Sequence, residues 1–174
     1  MKRTFTIEEI MPNAILLLND TELNISQIAY QLDFNDPRYF SRCFRAHFGT
    51  TPSKYRKNLL LQKQHVNANR FVEKAIERVE KCIANPDYIP QKLAQDMNMS
   101  VSTLWRKVKI NTGQTPTEFI RKVRLKKAKQ LLGNSNDPLW EVAMASGYND
   151  VKYFSRCFRA EFGQSPSRYM QNRG

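Results

Sequence analysis

The sequence has no long apolar run. Nothing in it approaches the roughly 18 to 20 residues of a membrane-spanning helix, so a transmembrane protein is not expected. The start, Met1-Lys2-Arg3-Thr4, is basic, but no long apolar segment follows, which argues against a signal peptide. Cysteine is scarce: Cys43, Cys82 and Cys157 form no framework. That excludes a disulfide scaffold and fits a reducing, cytoplasmic location. Six glycines and eight prolines are too few for a collagen-like or low-complexity chain. The two histidines, His47 and His65, have no His or Cys at ligand spacing, so neither a metal site nor a cofactor is expected. No P-loop, dinucleotide fingerprint, HExxH, GxSxG or catalytic Cys/His pair occurs, and no enzyme is expected. Acidic residues are also short, with 16 Asp and Glu against 28 Lys and Arg. The net charge is +12 and the pI about 9.8. Such an excess favours a polyanionic partner, nucleic acid or an acidic membrane surface, and says nothing about fold.

What is present is a repeat. Phe34–Asn58 (FNDPRYFSRCFRAHFGTTPSKYRKN) and Tyr148–Asn172 (YNDVKYFSRCFRAEFGQSPSRYMQN) align without a gap at an offset of 114, and 16 of 25 positions are identical. Self-similarity of this kind marks a duplicated structural unit. Upstream the match weakens to Leu17-Leu18 with Leu131-Leu132 and Ile28-Ala29 with Val142-Ala143, and above about Ala14 it fades. There the second copy carries the basic segment 121–129 and the first copy carries 7–14. The chain therefore reads as one complete unit and one partial unit. Residues 67–174 carry +9 of the excess charge and residues 1–66 carry +3.

Nearly everything reads as helix. Phe154, Phe158 and Phe162 recur at i, i+4 and i+8, and Phe40, Phe44 and Phe48 repeat the stripe. Gly163 and Gly49 follow as helix stops. The pairs Ser165-Pro166, Thr51-Pro52 and Thr115-Pro116 then cap and start new helices. Thr115 with Glu118 offers a capping box for a long helix to about Leu132, with Phe119, Val123, Ala128, Leu131 and Leu132 as packing candidates. A cluster of breakers at 133–138 ends it. Residues 70–84 form an amphipathic stretch with Phe71, Ala75, Ile76, Val79 and Ile83 on one face. Residues 59–69 read as a linker or as a continuation of the preceding helix. The expected class is all-α, divided as 1–58, 59–69 and 70–174.

Ile89–Gly113 has the grammar of a helix-turn-helix. Leu93, Ala94 and Met97 face inward, Asn98 takes the tight turn, and Ser100 caps a helix anchored by Leu104 and Val108. The outward face of that second helix carries Ser102, Thr103, Trp105, Arg106, Lys107 and Lys109. A polar, basic helix of this kind fits the major groove. Leu139–Gly163 repeats the pattern: Val142 and Ala143 inward, a turn at Gly147, a cap from Asn149-Asp150, and Phe154 and Phe158 as anchors. In the first copy Asp33 replaces the turn glycine. Aspartate visits the left-handed region at some cost.

The stretches LAQDMNMSVSTLWRKVKINTGQTPTEFIRKVRLKKAKQLL and VAMASGYNDVKYFSRCFRAEFGQSPSRYM, in that order, resemble a complete AraC/XylS-type DNA-binding domain over about Phe71–Arg173. The likeness is nearest to the output domains of bacterial hybrid two-component regulators. Residues 14–57 resemble only the second half of such a domain. The first half, with its recognition helix and basic linker helix, is expected to be absent from the partial copy. Family members usually carry a sensing or receiver domain as well, and that signal input is expected to be missing here.

The resemblance implies two helix-turn-helix units on one long helix, a span of roughly 25 Å that can hold two recognition helices about one DNA turn apart. Ser102, Thr103, Trp105 and Arg106 are expected to approach bases from the first reading helix. Asn149, Asp150, Val151, Lys152, Ser155 and Arg156 are expected to do so from the second. Lys107, Lys109, Arg121, Lys122 and Arg159 are expected on phosphates, adding affinity without sequence information. Trp105 has a rival role in packing, and Asp36 and Asp150 a rival role as helix caps. Phe154 and Phe158 are core. Cys43 and Cys157 are small buried thiols.

The partial copy admits three readings. It is a bystander of duplication, or a third DNA contact through Arg38, Arg42 and Arg45, or a packing surface for a second chain. The last is slightly favoured, for part of this surface, because Pro12 would break or kink the covering helix while Ile10, Ile15, Leu16, Leu17 and Leu18 still need burial. The expected function is sequence-specific binding of double-stranded DNA in transcription regulation. RNA polymerase and a homodimer through the partial unit are admitted as further partners. A pairing module is the alternative. No strand or loop motif of an RNA-binding fold accompanies the charge.

Overall fold

In a computed structural model, the structure describes residues 6–20, 22–134 and 137–171. They form ten α-helices and no strand: α1 (Ile7–Asp20), α2 (Ile25–Gln31), α3 (Pro37–Phe48), α4 (Pro52–Lys81), α5 (Pro90–Asp96), α6 (Val101–Thr112), α7 (Pro116–Asn134), α8 (Leu139–Ala145), α9 (Val151–Phe162) and α10 (Pro166–Gln171). Of the expected breaker cluster, Ser135 and Asn136 lie outside the described residues, as do the basic start and the last three residues. The local signals hold. Gly49, Gly113 and Gly163 end helices in the left-handed conformation, and Asn98, Gly147 and Asp33 take the turns at positive φ. Thr115 and Glu118 exchange both bonds of the capping box that starts α7.

Two compact units divide within α4, at Asn67 and Ala68. Residues 59–69 are helical throughout and continue the helix that begins at Pro52.

The first unit departs most from expectation. The covering helix is not lost: α1 runs unbroken through Pro12. Its start is a capping box, with the Thr6 amide donating to Glu9 Oε2 at 2.9 Å and the Glu9 amide to Thr6 Oγ1 at 3.4 Å. Pro12 lies exposed in the second turn. The backbone bond it forfeits belongs to the outer face, where water can serve the Glu8 carbonyl. Met11, Ala14 and Leu18 are buried against Ile28, Ala29, Phe34, Phe40 and Phe44. Every one of these eight has a buried counterpart 114 residues on: Leu125, Ala128, Leu132, Val142, Ala143, Tyr148, Phe154 and Phe158. The repeat thus reaches back to the start of α1, which corresponds to the C-terminal half of α7. Ile10, Ile15 and Leu17 pack at the edge of this core, and Leu16 alone of the five expected residues is exposed.

In the second unit α7 serves two cores from opposite sides. Phe119, Ile120 and Val123 join Ala75, Val79, Leu93, Leu104 and Val108. Leu125, Ala128 and Leu132 join the core of α8 and α9. At about 100° per residue, the two sets point roughly 165° apart around the helix. The first helix-turn-helix (α5, α6) and the second (α8, α9) are therefore seated on one rod of about 28 Å.

Candidate nucleic-acid interface

The second helix of each helix-turn-helix begins at a built cap. For α6, Ser100 Oγ accepts the Thr103 amide at 3.2 Å and donates to Thr103 Oγ1 at 2.9 Å. Leu104 and Val108 fix the inner face. Ser102, Trp105, Arg106, Lys107 and Lys109 stand exposed, and Thr103 is half-buried. Trp105 is 45% exposed, so part of its ring is open to the outer face. Lys107 Nζ lies 5.5 Å from the Phe71 ring centroid, and Lys109 Nζ donates to the Gly113 carbonyl at 2.8 Å. Both cations are held near the helix's C-terminal half, where the helix dipole favours them.

For α9 the cap is Asp150, whose Oδ1 accepts the amides of Lys152 at 2.7 Å and Tyr153 at 3.0 Å. Phe154 and Phe158 are fully buried, as expected. Asn149, Lys152, Arg156 and Arg159 are exposed, and Val151 and Ser155 half-buried. The Arg156 guanidinium sits 5.4 Å from the centroid of the Tyr153 ring, itself 45% exposed. Tyr153 was not singled out from the sequence, though it stands on the same exposed face as Arg156. Cys157 and Cys43 are half-buried at core edges.

The two amides hold the Asp150 carboxyl below its ordinary range, Tyr153 N–H first and Lys152 N–H second. The Thr115 amide does the same for Glu118. A depressed folded value stabilises above the unfolded value and is lost as pH falls through the folded one. Acidification from neutral to about pH 3 should therefore weaken the starts of α9 and α7. Asp150→Asn keeps an acceptor but does not titrate, and should flatten that acid limb in melts followed by circular dichroism. An equal acid loss in both proteins would remove Asp150 as its source.

From α7, Arg121 is exposed, whereas Lys122 Nζ is 3.5 Å from Glu161 Oε1 and so is shared with α9. Arg124 is different in kind. Its Nη2 donates to the carbonyls of Asn85 at 2.7 Å, Tyr88 at 3.3 Å and Pro86 at 3.4 Å. Burial lowers its pKa, opposed in part by the neighbouring Tyr148. Beside it, Gly147 comes so close that a Cβ would fall on the Ile83 carbonyl oxygen and within 2.9 Å of Arg124 Nε. This knot ties the turn of the second helix-turn-helix to the loop before the first. It was invisible as a charged residue in a basic helix. Arg121, Asn149, Asp150, Tyr153 and Arg156 line the adjoining cleft. What the surface offers is cationic and hydrogen-bonding groups on two helix faces.

In the first unit, Asp36 Oδ1 accepts the Arg38 amide at 2.8 Å to cap α3. Arg38, Arg42 and Arg45 are exposed, and the Arg42 guanidinium lies 5.7 Å from the Tyr39 centroid.

Comparison with known proteins finds the helix-turn-helix domain family matching residues 7–58 and 93–172. Histidine kinase P4 of Formosa agariphila is 38% identical over 104 residues, covering 60% of this chain and 8% of that protein. The HTH-type transcriptional activator RhaS of Escherichia fergusonii is 39% identical over 83 residues, covering 48% of this chain and 30% of the other. The chain thus spans under a third of the length of these relatives. Among solved structures, the C-terminal domain of AraT, a response regulator from Geobacillus stearothermophilus, matches with a TM-score of 0.54 and 30% identity. That match covers 59% of this chain and 84% of the other.

Proposed function

The chain belongs to the AraC/XylS family of helix-turn-helix DNA-binding domains, and from that premise we infer that it regulates transcription by reading double-stranded DNA with α6 and α9. The observation that carries this reading is the pairing of two capped helices, each with an exposed basic face, on the two ends of α7. Ser102, Thr103, Trp105 and Arg106 read bases from α6. Asn149, Val151, Lys152, Ser155 and Arg156 read them from α9, while Asp150, occupied by two amides, sets the helix start at the groove. Lys107, Lys109, Arg121 and Arg159 meet phosphates, and Lys122 divides its charge between phosphate and Glu161. Regulation by such a domain brings in RNA polymerase as a further partner, and the likeness to AraT supports an output role behind a two-component signal. Among the described residues no helix is long and apolar enough to cross a membrane, in keeping with work in the cytoplasm. A homodimer through the first unit has lost its main ground, since α1 covers the apolar face.

The test is selection of bound sequences from random duplex DNA, followed by binding to the selected and a scrambled site. Arg106→Ala should forfeit roughly 1–3 kcal/mol of discrimination, about 5- to 150-fold. Lys109→Ala should weaken both sites alike and lower the salt slope by about one. Unchanged preference in Arg106→Ala would remove that residue from base reading. Failure of the wild-type chain to prefer any sequence would favour a pairing module instead.

A further inference from the structure

We propose that α3 is a third reading helix and that it recognises the same base sequence as α9. This rests on the reading of α9 as a DNA-reading helix. The first unit is not a decayed remnant: all eight of its core residues have buried counterparts in the second unit, and its cap, turn and helix stop repeat as well. A core alone could survive duplication because the fold requires it. The exposed face of α3 is under no such constraint.

The exposed positions divide sharply. On α2, the exposed Ser26, Gln27, Tyr30 and Gln31 stand where α8 has Trp140, Glu141, Met144 and Ala145, so none is retained. On α3, Tyr39, Arg42, Arg45 and Ala46 are identical to their α9 counterparts, Arg38 stands for Lys152 with its charge kept, and His47 at the far end of the helix is the one exposed position replaced in kind, by Glu161. Half-buried Ser41, like Ser155, is retained too. The geometry is retained with the residues: guanidinium to ring centroid is 5.7 Å for Arg42 and Tyr39, against 5.4 Å for Arg156 and Tyr153. Surface that has drifted on one helix and stayed fixed on its neighbour is surface that contacts something. Of the five α9 positions read as base-contacting, Asn149, Ser155 and Arg156 recur in the first copy as Asn35, Ser41 and Arg42, at the same spacing on helices capped alike, so at these positions the two helices match the same pattern of base edges. The ligand is a second copy of the α9 sequence element in duplex DNA. Two reading positions differ: Arg38 stands for Lys152, and Pro37 stands where α9 has Val151, so a thymine-methyl contact from Val151 would have a different apolar partner in α3.

The experiment is selection of bound duplexes by the full chain, its Arg42→Ala and Arg156→Ala variants, and Arg106→Ala as control. Wild type should select one element twice and a different element once. Arg42→Ala should select only one copy of the repeated element, and should bind the full wild-type site about 5- to 150-fold more weakly. Its affinity for a site with the single copy should be unchanged. Circular dichroism should give the same melt as wild type, since Arg42 is exposed. A wild-type site that lacks the second copy, or one on which Arg42→Ala has no effect, overturns the proposal while leaving α6 and α9 as readers if Arg106→Ala and Arg156→Ala still lose preference. A third element unlike that of α9 overturns the shared specificity. Absence of any selected sequence overturns the DNA-reading function itself, and this inference with it.

Discussion

Gly147→Ala should destabilise the second unit by about 2–5 kcal/mol and abolish the joint grip of α6 and α9 on DNA. Two penalties add. At φ +78 an L-residue costs about 1–2 kcal/mol. The new methyl also meets the Ile83 carbonyl oxygen, a backbone atom that cannot swing aside, and Arg124 Nε at 2.9 Å. Overpacking of that kind costs about 1–3 kcal/mol. Relief requires the turn to retreat from Ile83, or Arg124 to be pushed off the Asn85 carbonyl it holds at 2.7 Å. Each helix-turn-helix keeps its own core, so helicity should survive while the fixed relation between the two is lost. Thermal melts should shift down, and affinity for a two-element site should drop toward that for one element. Wild-type melting and two-element binding in Gly147→Ala would refute the knot. In the first unit the sign reverses: Asp33, at φ +61 and exposed, should tolerate Asp33→Gly with a gain of up to about 1 kcal/mol.

Phe158→Ala should cost about 3–5 kcal/mol, the range for emptying a buried aromatic site. Phe158 is fully buried and its ring meets those of Phe162 at 4.6 Å, Phe154 at 5.8 Å and Tyr169 at 5.9 Å between centroids. A loss of that size is comparable with a small domain's whole stability. Hydrogen exchange should rise across α8, α9, α10 and the C-terminal half of α7. Amides of α1, α2 and α3 should stay protected, because the two units have separate cores. Phe44→Ala should give the mirror pattern. Exposure spreading through both units in either variant would mean that they fold as one.

Local grammar was legible and distant contact was not. Caps, left-handed turn residues and the phenylalanine stripes act within a few residues, so Ser100, Asp150, Gly147 and Phe158 could be placed from spacing alone. Pro12 misled because a proline reads as a breaker wherever it falls, whereas its cost depends on whether the lost bond faces water. With Pro12 read as a stop, Met11 and Ala14 went unseen as core. In α7 the apolar period cancels: a helix buried on opposite faces at its two ends has no single stripe, and Ile120 and Leu125 were missed for that reason. Arg124 sits in a run of cations that reads as a solvated face, and its partners lie 36 to 39 residues away.

The two-sided burial of α7 also makes its length a phase lock. One residue inserted between Val123 and Leu125 would advance everything beyond it by about 1.5 Å and rotate it by about 100°. The downstream core would then face the wrong way round the rod, and α9 would be swung off the side of the duplex that α6 faces. Substitutions on the exposed flank of this helix can retune affinity freely, but insertions and deletions cannot be absorbed by degrees. If α6 and α9 read DNA as proposed, the spacing between their two elements is an all-or-none property of the chain, fixed by the count of residues in one helix.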